Sequence, residues 1–537
     1  MPRQHKKPAA LEFSPVSRLH DDILWTIFME NTESYHDERL ETARHTSQVC
    51  QRWRRIILRS SSLWGRLIDL DECKTHDWMR EVMSRAGDAF LWITCFSQSS
   101  RGEAIPEFIL SFISEKWTNI QRLKICDPIL TSSTPYCEEM DPKQYWTALL
   151  RRPAPNLQGF LFYYHSDVSK DDVDPSSNWL LPTPLFSSAA PALEKFEVYR
   201  LSMSDDMLNF TMYIPRPWFS NLRSFTLRQC ISYQRLLEIL DTIPLLEDLE
   251  IRGSFILTTS PDHSISMVNL PKLISLRLED WDFSSTATFL DSILPSPGCN
   301  LSMSPPSDMD MDNKDHHQVS QEQTVITRYM RAYFEHHQPT DISLCPGEQF
   351  VHIEYSDRQC NSSLSVWAYQ SLAREVFVTS FFSTIVKIEL CIDYDLDPSE
   401  SFALLKQMEP TQGQMFPSLH TIKLGSWRAK LHPLCRELLH SFLQHRRDTG
   451  PLPISVLDLS ALRPCNLLCD LDNLEEFTGL LVMWSSSSQS RKKYICGSGH
   501  PGDLCFKEER TRRGYLFGGK TTRPWVKRRK SGWAGHL

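Results

Sequence analysis

The sequence predicts an α/β protein: a small all-helical unit at the N-terminus, then a solenoid of short parallel strands with helices on its outside. Two observations predict it. Bulky apolar residues recur at helical spacing between Leu19 and Trp64, and a short apolar phrase returns nine times between Asn119 and Ser460. A third is length: 537 residues are too many for one compact core and call for several units or an extended repeat.

The N-terminal unit comes first. In "LHDDILWTIFMEN", Asp21 and Asp22 suit a helix start, and Ile23/Ile27 and Leu24/Phe28 are i, i+4 pairs on one apolar face behind Leu19. In "VCQRWRRIILRSSSLW", Val49, Trp53, Ile56 and Ile57 repeat at three and four residues, with Gln51, Arg52, Arg54 and Arg55 opposite. Cys50 reads as part of the apolar face. The stretch between, "ENTESYHDERLETARHTSQ", reads as a polar connection. Two helices this short bury too little to stand alone, so their apolar surface either caps the adjoining domain or grips another protein.

The recurring phrase is apolar-x-x-apolar-x-apolar. It occurs as "NIQRLKI", "NLQGFLF", "ALEKFEV", "NLRSFTL", "LLEDLEI" and "KLISLRL", then after a gap as "TIVKIEL", "SLHTIKL" and "ISVLDLS". Alternation within each copy predicts a short strand buried on one face. Between copies, "YQRLLEILDTI" and "LHPLCRELLHSFLQHRR" carry helical spacing. Strand, helix and parallel strand in series make the repeating unit of a curved solenoid, with an ordinary parallel α/β domain as the alternative. In the gap, "PPSDMDMDNKDHHQVSQEQ" reads as a disordered loop, "TVITRYMRAYFEHH" as a helix, and "FVHIEY" and "SLSVWAY" as strands.

Taken in order, Leu19-x-x-Asp22-Ile23-Leu24-x-x-Ile27-Phe28, Val49-Cys50-x-Arg52-Trp53-Arg54-x-Ile56 and Leu63-Trp64 resemble an F-box over residues 15–70. The chain departs from that pattern at His20, where the family has proline, and in a longer connection between the helices. The phrase resembles an irregular leucine-rich repeat without a regular Asn. Together they are similar to fungal F-box proteins with irregular leucine-rich repeats, a class in which "SRAGDAFLWIT" and "FLDSILPSPGCNLSMS" would be worn repeats. The resemblance implies a three-helix module that docks on a Skp-type adaptor and through it on a cullin scaffold. Leu19, Ile23, Leu24, Ile27, Phe28, Val49 and Trp53 match positions that face the adaptor or pack the module. The domain division expected is a disordered segment at 1–14, the F-box at 15–70, the solenoid at 71–480 with the polar loop at about 304–323, and a basic, disordered tail at 481–537.

The outward positions of the strands are the expected target-binding surface: Lys195, Glu197, Tyr199, Arg228, Asp248, Glu250, Arg252, Arg277 and Glu279, with Arg122/Lys124, Ser224/Thr226, Ser275 and Thr421/Lys423 in the same columns. Mixed charge, hydroxyls and an aromatic ring suit a protein partner better than a phosphate backbone.

Other function classes find little support. There is no Gly-rich phosphate loop, Gly-x-Ser-x-Gly elbow or His-Glu-x-x-His, so no catalytic residue and no cofactor is assigned. His316/His317 and His336/His337 read as solvated. Cys465, Cys469, Cys496, His500 and Cys505 are spaced too widely for a zinc site, and no metal ligand is assigned. Fifteen scattered cysteines do not form a disulfide framework. No apolar run approaches the ~20 residues that span a bilayer. The net charge of −8 conceals an asymmetry, because residues 491–537 hold thirteen Lys or Arg against three acidic residues. "SRKK" and "KRRK" there are possible nuclear addresses.

The expectation is therefore a non-catalytic substrate-recognition subunit of a cullin-type (SCF) ubiquitin ligase, cytoplasmic and/or nuclear, with a protein target and neither membrane nor nucleic acid as partner. The alternative is an adaptor-independent leucine-rich-repeat scaffold for protein–protein interaction.

Overall fold

The computed structural model describes residues 15–33, 39–70, 76–95, 107–126, 142–163, 181–182, 184–199, 217–228, 231–253, 255–256, 267–304, 316–346, 350–357, 362–369, 383–391, 416–425, 433–449, 452–462, 471–485 and 490–504. Expectations for 1–14, for the Met/Asp-rich segment 305–315 and for the basic end from 505 onward lie outside these residues. The chain divides into two compact units, Met1–His336 and His337–Leu537. The fold is mixed α/β with mainly parallel strands; among the described residues there are eleven α-helices and no closed barrel.

The first unit opens with four helices: α1 (Asp21–Glu33), α2 (Arg39–Gln48), α3 (Gln51–Arg59) and α4 (Ser61–Gly65). The polar connection is thus partly helical, a correction to the sequence reading. Helix α2 buries only Leu40, Ala43 and Ser47, too sparse a stripe to show in its composition. Cys50 is another correction. It is exposed and caps α3, its Sγ accepting from the Trp53 amide at 3.5 Å. The start of α1 is tied to α3 by Asp21, which pairs with Arg52 at 2.6 Å and Arg55 at 3.5 Å. Phe28 meets Trp53 edge-on at 5.3 Å. Helix α4 ends at the buried Gly65, where a Cβ would come within 2.4 Å of the Phe90 carbonyl oxygen. Only glycine lets this helix lie so close to the backbone leading into the next strand.

Nine strands then run parallel, each paired with the next: β1 (Ile68–Asp69), β2 (Leu91–Cys95), β3 (Ile120–Cys126), β4 (Gly159–Tyr163), β5 (Lys195–Tyr199), β6 (Ser224–Arg228), β8 (Asp248–Arg252), β11 (Ser275–Glu279) and β13 (Asn300–Ser304). Two small parallel pairs join β7 (Ile231–Ser232) to β9 (Phe255–Ile256) and β10 (Val268–Leu270) to β12 (Ile293–Pro295). Returns run through α5 (His76–Ala86), α6 (Glu107–Glu115), α7 (Pro142–Leu150), α8 (Tyr233–Asp241) and α9 (Phe283–Ser292), or through 3-10 turns at Leu185–Ser188 and Pro217–Asn221. Helix α10 (His316–His336) packs on α9. It begins inside the segment read as a loop and buries Glu322 and Gln323, so the loop reading fails over 316–323.

The phrase predicts the core closely. In all nine copies each of the three apolar positions is buried, from Ile120, Leu123 and Ile125 to Ile454, Leu457 and Leu459. Successive copies stack like on like. Phe160 lies 5.7 Å from Phe196, Phe196 lies 6.2 Å from Phe225, and Trp218 fills the space beside Phe196 at 5.3 Å. Asparagine also has a part the sequence reading missed. In three copies it stands first, and its side-chain amide donates to a carbonyl of the preceding return: Asn119 to Asp88 O at 3.1 Å, Asn156 to Thr118 O at 2.7 Å and Asn221 to Pro191 O at 2.9 Å.

In the second unit β14 (Asp341–Pro346), β17 (Lys387–Cys391), β18 (Thr421–Gly425), β19 (Val456–Leu459) and β20 (Leu481–Ser485) run parallel in that order. Helix α11 (Pro433–Thr449) lies between β18 and β19 in sequence. Its Arg446 is buried and donates to the Phe416 carbonyl. Two features depart from the all-parallel expectation. Strands β15 (Phe350–Asp357) and β16 (Ser362–Tyr369) form an antiparallel hairpin, with β15 antiparallel to β14. Strand β21 (Arg491–Ile495) pairs antiparallel with β20 inside the stretch read as a disordered tail. Regular structure therefore runs past 480, to the turn at Pro501–Leu504.

Candidate functional site

Two surfaces of the first unit bear on function. The first lies on the helical cluster. Leu24 and Phe28 are buried and Trp53 and Leu19 half-buried, so these four of the predicted adaptor residues pack the module or its margin. Ile23, Ile27 and Val49 point outward at 49%, 43% and 62% exposure, with Trp25 at 40%. Ile23 and Ile27 lie one turn apart on α1, and Val49 is in the turn between α2 and α3 rather than on the α3 face. Trp25, which the sequence reading did not single out, donates its indole N–H to Ser60 Oγ at 3.0 Å, which sets its ring against the α3–α4 corner. The cluster thus keeps an apolar core of its own and presents several large apolar side chains to solvent.

The cluster also grips the strands behind it. Arg39 of α2 donates to Thr94 Oγ1 at 3.1 Å and lies 3.6 Å from Asp69, both side chains nearly buried. Trp64 donates to Ile57 O at 2.9 Å and meets Trp78 edge-on.

The second surface is the outward face of the strands. Register brings the predicted positions into three rows. Arg122, Gly159, Lys195, Ser224, Asp248 and Ser275 make one; Lys124, Leu161, Glu197, Thr226, Glu250 and Arg277 the next; Tyr163, Tyr199, Arg228, Arg252 and Glu279 the third. Opposite charges pair both within and between rows. Arg228 reaches Glu250 at 2.5 Å and lies over the Tyr199 ring at 4.5 Å; Arg277 stands 3.6 Å from Glu250; Arg252 pairs with Asp280 at 2.6 Å and Glu279 at 3.5 Å. Two of the predicted outward positions, Glu197 and Thr226, are buried. Glu197 is 7% exposed, held by Lys195 at 2.6 Å and by the Tyr199 hydroxyl, which donates at 2.9 Å, and so orders its neighbours. Burial, then the Glu197 charge, pushes the Tyr199 phenol up. Asp248 and Arg277 are the most open of the set.

Where this face meets the helical cluster there is a cavity of about 630 Å³. Arg39, Trp92, Arg122, Lys124, Lys195 and Tyr199 are among its walls. The guanidinium of Arg122 lies 3.7 Å over the Trp92 ring and that of Arg66 4.2 Å. Burial, then the neighbouring Arg39, pulls the Lys124 ammonium below its ordinary range, with Glu197 acting in the opposite sense. The cavity combines cations with flat aromatic surface. The sequence reading singled out neither Trp92, which pairs with Arg122 across β2–β3, nor Arg39, inside the supposed connection.

In the second unit, Thr421 and Lys423 occupy outward positions of β18, Lys423 bonded to Glu389 at 2.7 Å. Cys496 is a buried free thiol. Cys465, Cys469 and Cys505 lie outside the described residues, among which no cluster of His, Cys, Asp or Glu fits a metal ion. Among the described residues no helix is long and apolar enough to cross a membrane. Compared with known proteins, the chain matches no family model and no curated protein sequence.

Proposed function

We propose that this chain is a non-catalytic substrate receptor of a cullin-type ubiquitin ligase, with residues 15–70 as an F-box that binds a Skp-type adaptor and the strands as an irregular leucine-rich-repeat solenoid that holds a target protein. The observation that carries the reading is the outward placement of Ile23, Ile27 and Val49 on a cluster whose core is already filled by Leu24, Phe28 and Ile57. A module that served only as a cap would turn such residues inward. The charged rows from Lys195 to Glu279 support the second half: paired, half-exposed charges over a rigid parallel sheet suit a polar, shape-specific protein interface. On this reading catalysis is by proximity, since tethering raises the target's effective concentration near the transferring enzyme.

The rival, a scaffold in which the helices merely cap the strands, draws on the contacts of Arg39 with Asp69 and Thr94. Those contacts use α2, not the face of α1 that carries Ile23 and Ile27, so both roles fit one module. Coexpression with a Skp-type adaptor decides between them. The receptor yields a stable complex of the two chains; a folded chain that never retains the adaptor refutes it and leaves the scaffold.

A further inference from the structure

A row of register positions crosses the second unit from β16 to β18: Trp367, His352, Cys345, Cys391 and Gly425. His352 pairs with Trp367 across β15–β16, their rings stacked at 4.9 Å. Cys345 pairs with His352 across β14–β15. Cys391 follows Leu390, whose partner is Leu344, so the two cysteines lie side by side on adjacent parallel strands and on one face. Beside them Ser343 Oγ lies 3.4 Å from Cys391 Sγ. Gly425 follows on β18, where a Cβ would stand 3.5 Å from the Cys391 sulfur.

Among the described cysteines this pair is distinctive. Cys95, Cys299 and Cys496 are buried and Cys50 stands at a helix cap, whereas Cys345 and Cys391 are half-exposed and adjacent. Neighbouring strands lie ~4.8 Å apart, inside the ~4.4–6.8 Å window of Cα separations that a disulfide spans. We propose that Cys345 and Cys391 are a thiol-oxidation site that closes to an intramolecular disulfide with a small-molecule disulfide such as oxidised glutathione. The Cys391 thiolate attacks one glutathione sulfur, the S–S bond breaks, and one glutathione thiolate leaves. Cys345 then gives up its proton and attacks the Cys391 sulfur, expelling the second glutathione. Two protein S–H bonds become one S–S bond, one glutathione disulfide becomes two thiols, and the two protons end on those thiols.

Cys391 is the attacking group because the hydrogen bond from Cys345 holds its thiol below the usual range, against the effect of burial, while the Cys345 thiol is pushed up. Closure would staple β14 to β17 and enclose the β15–β16 hairpin in a covalent loop. The inference is independent of the receptor reading.

The test uses the full-length chain, fully reduced and then exposed to excess oxidised glutathione. Intact mass should fall by two hydrogens, and a non-reducing peptide map should join the Cys345 and Cys391 peptides. Reduction should restore both thiols. Cys391→Ser should abolish that linkage. Cys345→Ser should stop the reaction at a glutathione adduct on Cys391. Circular dichroism of each variant establishes that the fold persists. Full alkylation of both cysteines after oxidant treatment of the native chain, or linkage of either one to a different cysteine, overturns the proposal.

Discussion

Replacing Ile23 and Ile27 together by Asp tests the central inference, and the structure sets the size of the effect. The two side chains retain 49% and 43% of their surface in the free chain. Burying a whole isoleucine side chain contributes ~1.5–3 kcal/mol, so covering the exposed half of each contributes about 1 kcal/mol. Losing both removes roughly 2 kcal/mol of binding, a weakening of about 30-fold, before any cost of desolvating the new carboxylates. Folding should hardly change, since exposed substitutions usually stay within ~0.5 kcal/mol. Leu24→Asp is the contrast: at 1% exposure it would bury a charge and unfold the module. The assay is titration of a purified Skp-type adaptor into wild-type and doubly substituted chains, each checked by thermal unfolding. If the double variant is folded and binds within about threefold of wild type, a difference of under ~0.7 kcal/mol, Ile23 and Ile27 are not the adaptor-facing surface.

Three further outcomes rest on local geometry. Gly65→Ala should destabilise the first unit by ~1–3 kcal/mol, because the new Cβ meets the Phe90 carbonyl, whereas Gly502→Ala, which meets nothing within 4 Å, should be close to neutral; equal melting temperatures would refute the close approach. Arg39→Met should cost about 3 kcal/mol in urea denaturation by taking away the cation beside the nearly buried Asp69, and adding Asp69→Leu should recover part of it; a double variant no more stable than the single would show that the pair is not coupled. Alkylation of Cys391, followed by peptide mass spectrometry across pH, should be half-maximal at about 7, since only the thiolate reacts and its hydrogen bond lowers the pKa; Cys345→Ala removes that donor and should move the midpoint upward, and an unmoved midpoint would count against the bond.

The strand positions were legible because each copy of the phrase states its burial twice, through period-two alternation and through the apolar residue three positions earlier. That residue, Leu157, Leu193 or Leu222 for instance, lies in the turn just before the strand and is as deeply buried as those within it. Elements with weak burial escaped. Helix α2 has only three buried residues, and β21, "RKKYI", buries Tyr494 alone, so its charges read as a solvated tail. The antiparallel direction of β15 was not legible, since alternation fixes a strand's faces and not its direction. The burial of Glu197 was not legible, because its outward position gave no sign that Lys195 and Tyr199 would close over it. On α1 the sequence marked an apolar group but could not divide it: Ile23 and Ile27 lie 100° around the helix from Leu24 and Phe28, enough to face solvent.

The stretch Arg491–Lys493 has a mechanical consequence. Among the described residues β21 pairs only with β20, and its first three side chains are all exposed cations. A terminal strand is where a second polypeptide would add itself to the stack, and clustered positive charge there repels an identical copy. Neutral, β-branched residues at these sites would invite end-to-end fibre growth that light scattering would detect. The lysines that resemble an address label would then serve as a stopper.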